Sequence, residues 1–332
     1  MPRLRDGLLG WTLPSLLHLD DQCHGVLARV LSAAPGRRQA IFAALAVRDI
    51  EGEIAYANED LLPPPFAEIV RHGRSAEILR HAFGEVPQGF PGLLERVGEW
   101  PLPRPQSYIA LRDLVASGEP RSICALRDSG RITLRKLDIL SSLDPRWRHA
   151  NTLSRLDTPA EAVRFNAAIE FVQGVCSKAD DEAIALAIAN MSGTGSLPRL
   201  LHRFIRRADR LPANPVPAGD VELRPFTSMR EYLDAARRYR NCLASKLDQV
   251  AAGRFAIAEF KDQALLEFRS LTAGAGWMLW LVHGPRNGPT PLKVYEEAEA
   301  KCDRLGIPRQ DDNAGGSLWR SYRHFSQALD WD

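Results

Sequence analysis

The side chains most able to do chemistry lie in the C-terminal third of the chain. Cys242 is a potential nucleophile, Glu267 is the only acid in an otherwise apolar run, and His283 precedes a glycine-rich turn that contains Asn287. The thiolate is the reactive form of cysteine, and an imidazole oriented by a carboxylate is a common way to generate it. These four residues are therefore the candidate catalytic site, provided that the fold brings them together.

The same residues also have a structural interpretation. A cysteine often packs as a small apolar residue, a glutamate such as Glu267 can lie on a solvated sheet face, and His283 can simply end a strand. The sequence leaves both interpretations open, because it gives no distance between these side chains.

The turn Gly284-Pro285-Arg286-Asn287-Gly288 is a candidate anion site. Backbone N–H groups of a glycine-rich turn can hold an anion, and Arg286 would add a positive charge. A helix predicted to start at Thr290-Pro291 would bring its N-terminus close to that anion. The alternative is a tight strand-to-helix connection. The turn lacks the Lys-Ser/Thr pair of a P-loop, so nucleotide hydrolysis is not supported.

Arginines on either side of a proline-rich segment form the candidate nucleic-acid or anion-binding surface. Several recur at helical spacing on the predicted helix Pro198–Leu211, which would align them on one face. Phosphate contacts supply most non-specific affinity for nucleic acid, so such a face predicts nucleic-acid binding. The alternative is a solvated face whose arginines pair with carboxylates. The candidate residues are Arg199, Arg203, Arg206, Arg210, Arg237, Arg240 and, in the turn above, Arg286.

Composition limits the classes of protein to consider. The 332 residues are enough for two domains, and 45% hydrophobic with 25% charged residues is typical of a folded protein. The formal net charge is only +2, so nucleic-acid binding would depend on a local patch. Five cysteines without paired spacing favour reduced thiols in the cytoplasm, and predict neither a metal nor another cofactor. Pro14 and His18 interrupt the apolar N-terminal stretch, so no membrane partner is expected.

The predicted fold class is mostly α, with an irregular helical N-terminal domain and a small C-terminal α+β domain. Apolar residues at three-to-four spacing predict ten short helices between residues 22 and 211, without the fixed period of a solenoid. Prolines at 212, 215 and 217 predict a linker over 212–219. The predicted domains are therefore 1–211 and 220–332.

The α+β domain is predicted to begin with one long helix. A capping box at Ser228-Met229-Arg230-Glu231 starts that helix, which includes Cys242 and ends near Gly253. Three strand-like runs then predict a three-stranded antiparallel meander. Those runs are Phe255–Phe260, Ala264–Phe268 and Trp277–His283, and a last helix is predicted near Leu318–Leu329.

The run NCLASKLDQVAAGRFAIAEF, followed by QALLEFRS and MLWLVHGPRNGPTP, resembles the characteristic block of PcfJ-like proteins over about residues 239–291. These proteins are encoded largely on conjugative elements and in phage-rich neighbourhoods. The matching positions are Cys242, Gly253, Glu267, Gly284 and Asn287. The chain departs from the family pattern at two polar positions: Asn241 stands where the family commonly has His, and Leu281 where it has Gln.

The resemblance implies a cellular context and no particular reaction. Together with the arginine-rich surface, this context favours an accessory protein of a mobile or phage-related element that binds nucleic acid or a protein partner. The alternative function is that of a hydrolase or transferase that uses Cys242, Glu267 and His283 on an anionic substrate.

Overall fold

The computed structural model describes residues 9–51, 66–271 and 274–309. These residues contain sixteen α-helices and a four-stranded antiparallel sheet in the C-terminal region, which confirms the mostly helical fold class. The chain divides into two compact units. The N-terminal unit comprises Met1–Ile169 with Asp181–Leu197, and the C-terminal unit comprises Glu170–Asp180 with Pro198–Asp332.

The N-terminal unit is an irregular helical array around α3. Residues 40–46 of α3 are buried on every side of the helix, as expected for a helix at the centre of a core. The helices of this unit are α1 (Thr12–Gln22), α2 (Val26–Leu31), α3 (Pro35–Glu51), α4 (Phe66–His72), α5 (Ser75–Phe83), α6 (Phe90–Glu95), α7 (Gln106–Ala116), α8 (Pro120–Asp128), α9 (Leu134–Ser142), α10 (Ala150–Leu153), the first part of α11 (Pro159–Val175) and α12 (Asp181–Ala189). The residues of α11 from Glu170 onward belong to the C-terminal unit. The sequence did not predict α1, α8 or α10. Pro14 lies in the first turn of α1, where it is compatible with a helix.

The C-terminal unit is built on a four-stranded antiparallel sheet in the order β1-β2-β3-β4. Its elements are α13 (Leu197–Ile205), β1 (Leu223–Pro225), α14 (Met229–Tyr239), α15 (Leu247–Ala251), β2 (Phe255–Phe260), β3 (Ala264–Ser270), β4 (Trp277–His283) and α16 (Leu292–Arg304). The prediction of three strands was incomplete, because β1 also pairs with β2. This strand has only three residues and ends in Pro225, so it lacks the alternation that reveals longer strands.

The sheet has helices on both faces. One face contributes Leu223, Phe260 and Phe268 to a core that α16 completes with Ala298 and Cys302. The other face lies against α14: the Tyr232 hydroxyl accepts a hydrogen bond from the Ile257 N–H at 3.2 Å. All six residues of β2 are buried, as expected for a strand covered on both sides.

The predicted long helix is wrong beyond Tyr239. It begins at the predicted capping box, where Ser228 Oγ accepts from the Glu231 N–H, but Arg240 adopts a left-handed conformation with a φ of 50°. The Asn241 side chain then accepts a hydrogen bond from the Leu243 N–H at 3.1 Å. Such local side-chain bonding competes with the helix. A short 3-10 helix over Cys242–Ser245 follows, so Cys242 lies outside α14 and not in its second half as predicted.

The proline-rich segment 212–219 contains no helix or strand, yet it is packed against the sheet. Val216 is only 2% exposed and belongs to the core on the α16 side. Asn214 Nδ2 donates to the Ile257 carbonyl at 2.8 Å. Prolines prevent regular structure but not burial, so this segment belongs to the C-terminal unit. The boundaries 1–211 and 220–332 remain predictions, because the two compact units divide the chain at other positions.

Two further expectations concern the last predicted helix and the membrane. The helix predicted near Leu318–Leu329 lies outside the described residues. Among the residues that the structure describes, no helix combines the length and apolar character needed to cross a membrane.

Candidate functional site

Glu267 is the member of the candidate catalytic site that contacts three basic side chains. Its side chain is 1% exposed, and its carboxylate lies 3.2 Å from Lys246 Nζ, 3.1 Å from Arg269 Nε and 3.4 Å from His283 Nε2. Burial opposes ionisation, but the His283 hydrogen bond and the Lys246 charge outweigh it. The pKa of Glu267 therefore lies below its usual value. The residue is an ionised carboxylate that three basic groups satisfy.

The register of the sheet explains this cluster. Glu267 pairs with Leu281 across β3 and β4, so His283 and Arg269 share its face as neighbours two positions away. A β-bulge lies between Glu267 and Phe268, where β4 carries one extra residue, Trp280. The Arg269 guanidinium lies 4.3 Å from the centroid of the Trp280 ring, which holds that side chain by a cation–π contact.

Cys242 is exposed and has a different partner. Asn287 Nδ2 donates to Cys242 Sγ at 3.6 Å. Within the described residues, no hydrogen bond joins Cys242 to His283. The structure therefore brings the four candidates together as two pairs, Glu267 with His283 and Cys242 with Asn287. The continuous chain from thiol to imidazole to carboxylate, which the catalytic hypothesis requires, is not formed.

Backbone groups of the glycine-rich turn form hydrogen bonds with one another. The Gly284 N–H donates to the Gly288 carbonyl at 2.9 Å, and the Gly288 N–H donates to the Pro285 carbonyl at 3.0 Å. Neither N–H is therefore directed at an anion. The predicted cap of α16 is also wrong, since Thr290 Oγ1 is buried without a hydrogen bond and α16 has no side-chain cap. What remains of the anion hypothesis is the Arg286 side chain.

Arg240 lies two residues before Cys242 in the sequence, and Arg286 directly precedes Asn287. Both arginines, and Asn287 as well, have φ angles between 50° and 60°, in the left-handed region that is uncommon for residues other than glycine. Both arginine side chains are exposed and form no ion pair within the part of the chain that the structure describes. They are two unpaired charges close in sequence to Cys242 and Asn287.

The arginines of 199–210, which we call the arginine segment, do not lie on one helix as predicted. Helix α13 ends at Ile205, so only Arg199 and Arg203 are on it. The chain changes direction because Ala208 is buried and the Asp209 carboxylate binds the Ser177 N–H at 2.8 Å. This redirection by tertiary contacts was not visible in the periodicity of the sequence.

Four arginine side chains of this segment are exposed and lack an ion pair with any carboxylate that the structure describes. They are Arg203, Arg206, Arg207 and Arg210. The backbone beneath them is held firmly, since the Asp209 and Arg210 N–H groups both donate to the Val175 carbonyl at 3.1 and 3.0 Å. The segment therefore presents exposed arginine side chains from an anchored backbone, and only Arg210 has a neighbouring acid, Asp209, whose pKa its charge helps to lower.

Arg237, also predicted to bind nucleic acid or an anion, differs from these arginines because it forms an ion pair. Its guanidinium lies 3.2 Å from Asp234, so its charge is compensated. Its neighbour Arg238 makes a two-point contact with the buried Glu259, at 2.6 and 2.9 Å, and Arg224 contacts the same carboxylate. Burial opposes ionisation of Glu259, but the hydrogen bonds from Arg238 and Arg224 hold its pKa below the usual value.

Sequence reasoning overlooked Glu259 and its two arginines. The signal was present, because Glu259 is a charged residue within a strand of otherwise apolar residues, as Glu267 is in the next strand. A charged residue in a strand covered on both faces requires a partner of opposite charge. In the described part of the chain, no group of three or more His, Cys, Asp or Glu residues is arranged to hold a metal ion.

Comparison with known proteins adds no further constraint on this site. No family model, curated protein or solved structure matches the chain. The resemblance to PcfJ-like proteins accordingly stays a prediction, and the functional argument depends on the geometry of the described residues.

Proposed function

We propose that this protein binds nucleic acid through the arginine segment of its C-terminal unit. The observation that carries the proposal is the set of exposed arginines without carboxylate partners. Residues 199–210 contain one acid, Asp209, whose carboxylate accepts hydrogen bonds from Ser177 and also interacts with the charge of Arg210. Arg203, Arg206 and Arg207 are the exposed arginines on which the proposal depends. Like charges placed side by side repel one another in the free protein, and phosphate groups of a ligand relieve that repulsion.

The chemistry of the side chains favours a phosphate polymer as the ligand. Guanidinium groups match phosphate oxygens with two parallel hydrogen bonds, and they keep their charge at any physiological pH. Successive arginines on an anchored backbone suit a ligand with a repeating charge. No aromatic side chain is interleaved with the arginines between Arg206 and Arg210, so binding through the backbone of the nucleic acid is favoured over reading of its bases.

The anchored backbone strengthens the proposal. The Cys176 thiol donates to the Arg207 carbonyl at 3.7 Å, and Ser177 holds Asp209, so the end of α11 fixes the path of the segment. Binding would then order only side chains, which lowers its entropic cost. On this proposal, the role of an accessory protein of a mobile or phage-related element follows from the resemblance to PcfJ-like proteins.

Two double variants with the same change in charge test the proposal. Arg203→Ala/Arg206→Ala removes two unpaired arginines, whereas Arg230→Ala/Arg304→Ala removes two exposed arginines that have carboxylate partners. Fluorescence anisotropy with labelled single-stranded and duplex oligonucleotides at fixed salt measures the affinity. We expect the first variant to bind about tenfold more weakly or worse, and the control to bind within about twofold of wild type. Equal losses in the two variants would refute a specific role for the segment.

The enzymatic alternative retains one supporting observation, the contact between His283 and Glu267. It requires the Cys242 thiol to reach the imidazole, and the partner of that thiol is Asn287. Nucleic-acid binding is therefore the function that the geometry supports best.

A further inference from the structure

A surface cavity in the N-terminal unit has the character of a small anion site. Its volume is about 390 Å³, within the range of about 300–1,000 Å³ typical of small-molecule sites. It is lined by Gly25, Ala28, Arg29, Ser32, Arg71 and His72. The lining is mainly polar, and it contains three basic side chains but no acidic one among the described residues.

Local structure fixes the walls of this cavity. Asp20 Oδ1 accepts hydrogen bonds from the Gly25 and Leu27 N–H groups, at 3.0 and 2.9 Å, and so sets the start of α2, which carries Arg29. Arg71 and His72 come from the last turn of α4. Arg71 Nη1 donates to Cys23 Sγ at 3.4 Å, which orients its guanidinium beside α2.

The positive charge at this cavity is incompletely neutralised. Arg29 is exposed and forms no ion pair with a described carboxylate. Arg37, nearby on α3, has a pKa below its ordinary value because of burial and because of the charge of Arg29. No carboxylate among the residues that line the cavity offsets the charge of Arg29.

The acids nearest the cavity are Glu68 and Asp20, and each already has a hydrogen-bond partner. Glu68 accepts from the Cys23 thiol at 3.4 Å and lies 3.5 Å from His72. Asp20 caps the start of α2. Both acids contribute to the field at Arg71, where the Cys23 hydrogen bond is the main cause of a raised pKa. Neither carboxylate lines the cavity, so the Arg29 and Arg71 guanidinium groups face it without a charge partner inside it.

We infer that this cavity binds the phosphate group of a small phosphorylated ligand, with Arg29 and Arg71 as the charged contacts. Two guanidinium groups and an imidazole suit a dianion, and a guanidinium donates two parallel hydrogen bonds to phosphate oxygens. The volume leaves room for a group attached to the phosphate. This site is independent of the arginine segment, which lies in the other unit.

Equilibrium dialysis of the full chain at constant ionic strength tests the inference, with inorganic phosphate and a nucleoside monophosphate as separate probes. We expect saturable binding of at least one probe, and tighter binding of the nucleotide would show that the attached group also makes contacts. Arg29→Gln removes a charge, and Ala28→Phe fills the cavity without changing any charge. Each should weaken binding about tenfold or more.

Two controls make the result decisive. Arg230→Gln removes an arginine that is 91% exposed in the other unit, and it should bind like wild type. Arg203→Ala/Arg206→Ala should also bind the probes normally, because that change tests only the arginine segment. The inference is overturned if neither probe binds saturably, or if the Arg29 and Ala28 variants, with circular dichroism spectra like that of wild type, keep full affinity.

Discussion

Two groups of arginines in the C-terminal unit differ in what surrounds them. Arg224, Arg238 and Arg269 lie over the sheet, and each contacts a glutamate that is 1% exposed. The arginines of the segment at 203–210 have no such carboxylate within the described chain. A buried carboxylate is costly unless it is paired, so the sheet arginines are needed for folding. The segment arginines satisfy no buried group, and their charge is therefore free for a ligand.

The largest effect should come from removing the sheet arginines. Arg224→Ala/Arg238→Ala leaves Glu259 buried with neither of its two arginine partners, and loss of a buried pair typically costs about 3–5 kcal/mol. Urea denaturation should show that decrease in the free energy of unfolding. Adding Glu259→Leu should restore part of it, since no unpaired charge then remains. A double variant as stable as wild type would show that the sheet arginines are not structural.

The buried, paired carboxylate of Glu267 predicts how the free energy of unfolding depends on pH. The folded-state pKa of Glu267 is below the ordinary value of 4.5. The stability that the ionised Glu267 carboxylate contributes is therefore fully present above the unfolded-state pKa. It is lost as the pH falls through the folded-state pKa. Each unit by which the folded-state pKa lies below the unfolded-state pKa corresponds to about 1.4 kcal/mol of stability. Unfolding free energies measured from pH 7 downward should fall below about pH 4.5, and less steeply in Glu267→Gln. Parallel profiles for the two proteins would contradict this assignment.

The smallest effect is expected at the exposed thiol. Cys242→Ser replaces an exposed thiol that accepts a weak hydrogen bond from Asn287, so the free energy of unfolding should change by less than about 0.5 kcal/mol. Nucleic-acid binding should also be unchanged. A marked loss of binding in this variant would show that the neighbourhood of Cys242, and not the arginine segment alone, contacts the ligand.

The sheet was the part of the fold that the sequence predicted best. The bounds of β2 and β4 agree with the prediction, because apolar runs are delimited by turn residues such as Lys261 and Asp262, both of which have positive φ. Strand β1 was missed because three residues ending in Pro225 carry too little pattern. The break at Arg240 was missed because apolar spacing continues through it, while the side chain that redirects the backbone belongs to Asn241.

The candidate site was predictable only where it depends on strand register. Glu267 and His283 lie on adjacent strands, so their contact follows from the pairing of β3 with β4. The position of Cys242 depends on a turn that sequence periodicity does not reveal. The absence of ion pairs between Arg203, Arg206 or Arg207 and any described carboxylate depends on where distant carboxylates are placed, which only the folded structure can show.

The salt dependence of nucleic-acid affinity is the most direct test of whether the arginine segment binds phosphate groups. Plots of log K against log salt for wild type and for Arg203→Ala/Arg206→Ala on the same duplex count the phosphate contacts, at about 0.9 in slope for each contact. We expect a steep slope for wild type and a slope that is smaller by about 1.8 in the variant. An unchanged slope in the variant, or a wild-type affinity that does not respond to salt, would contradict it.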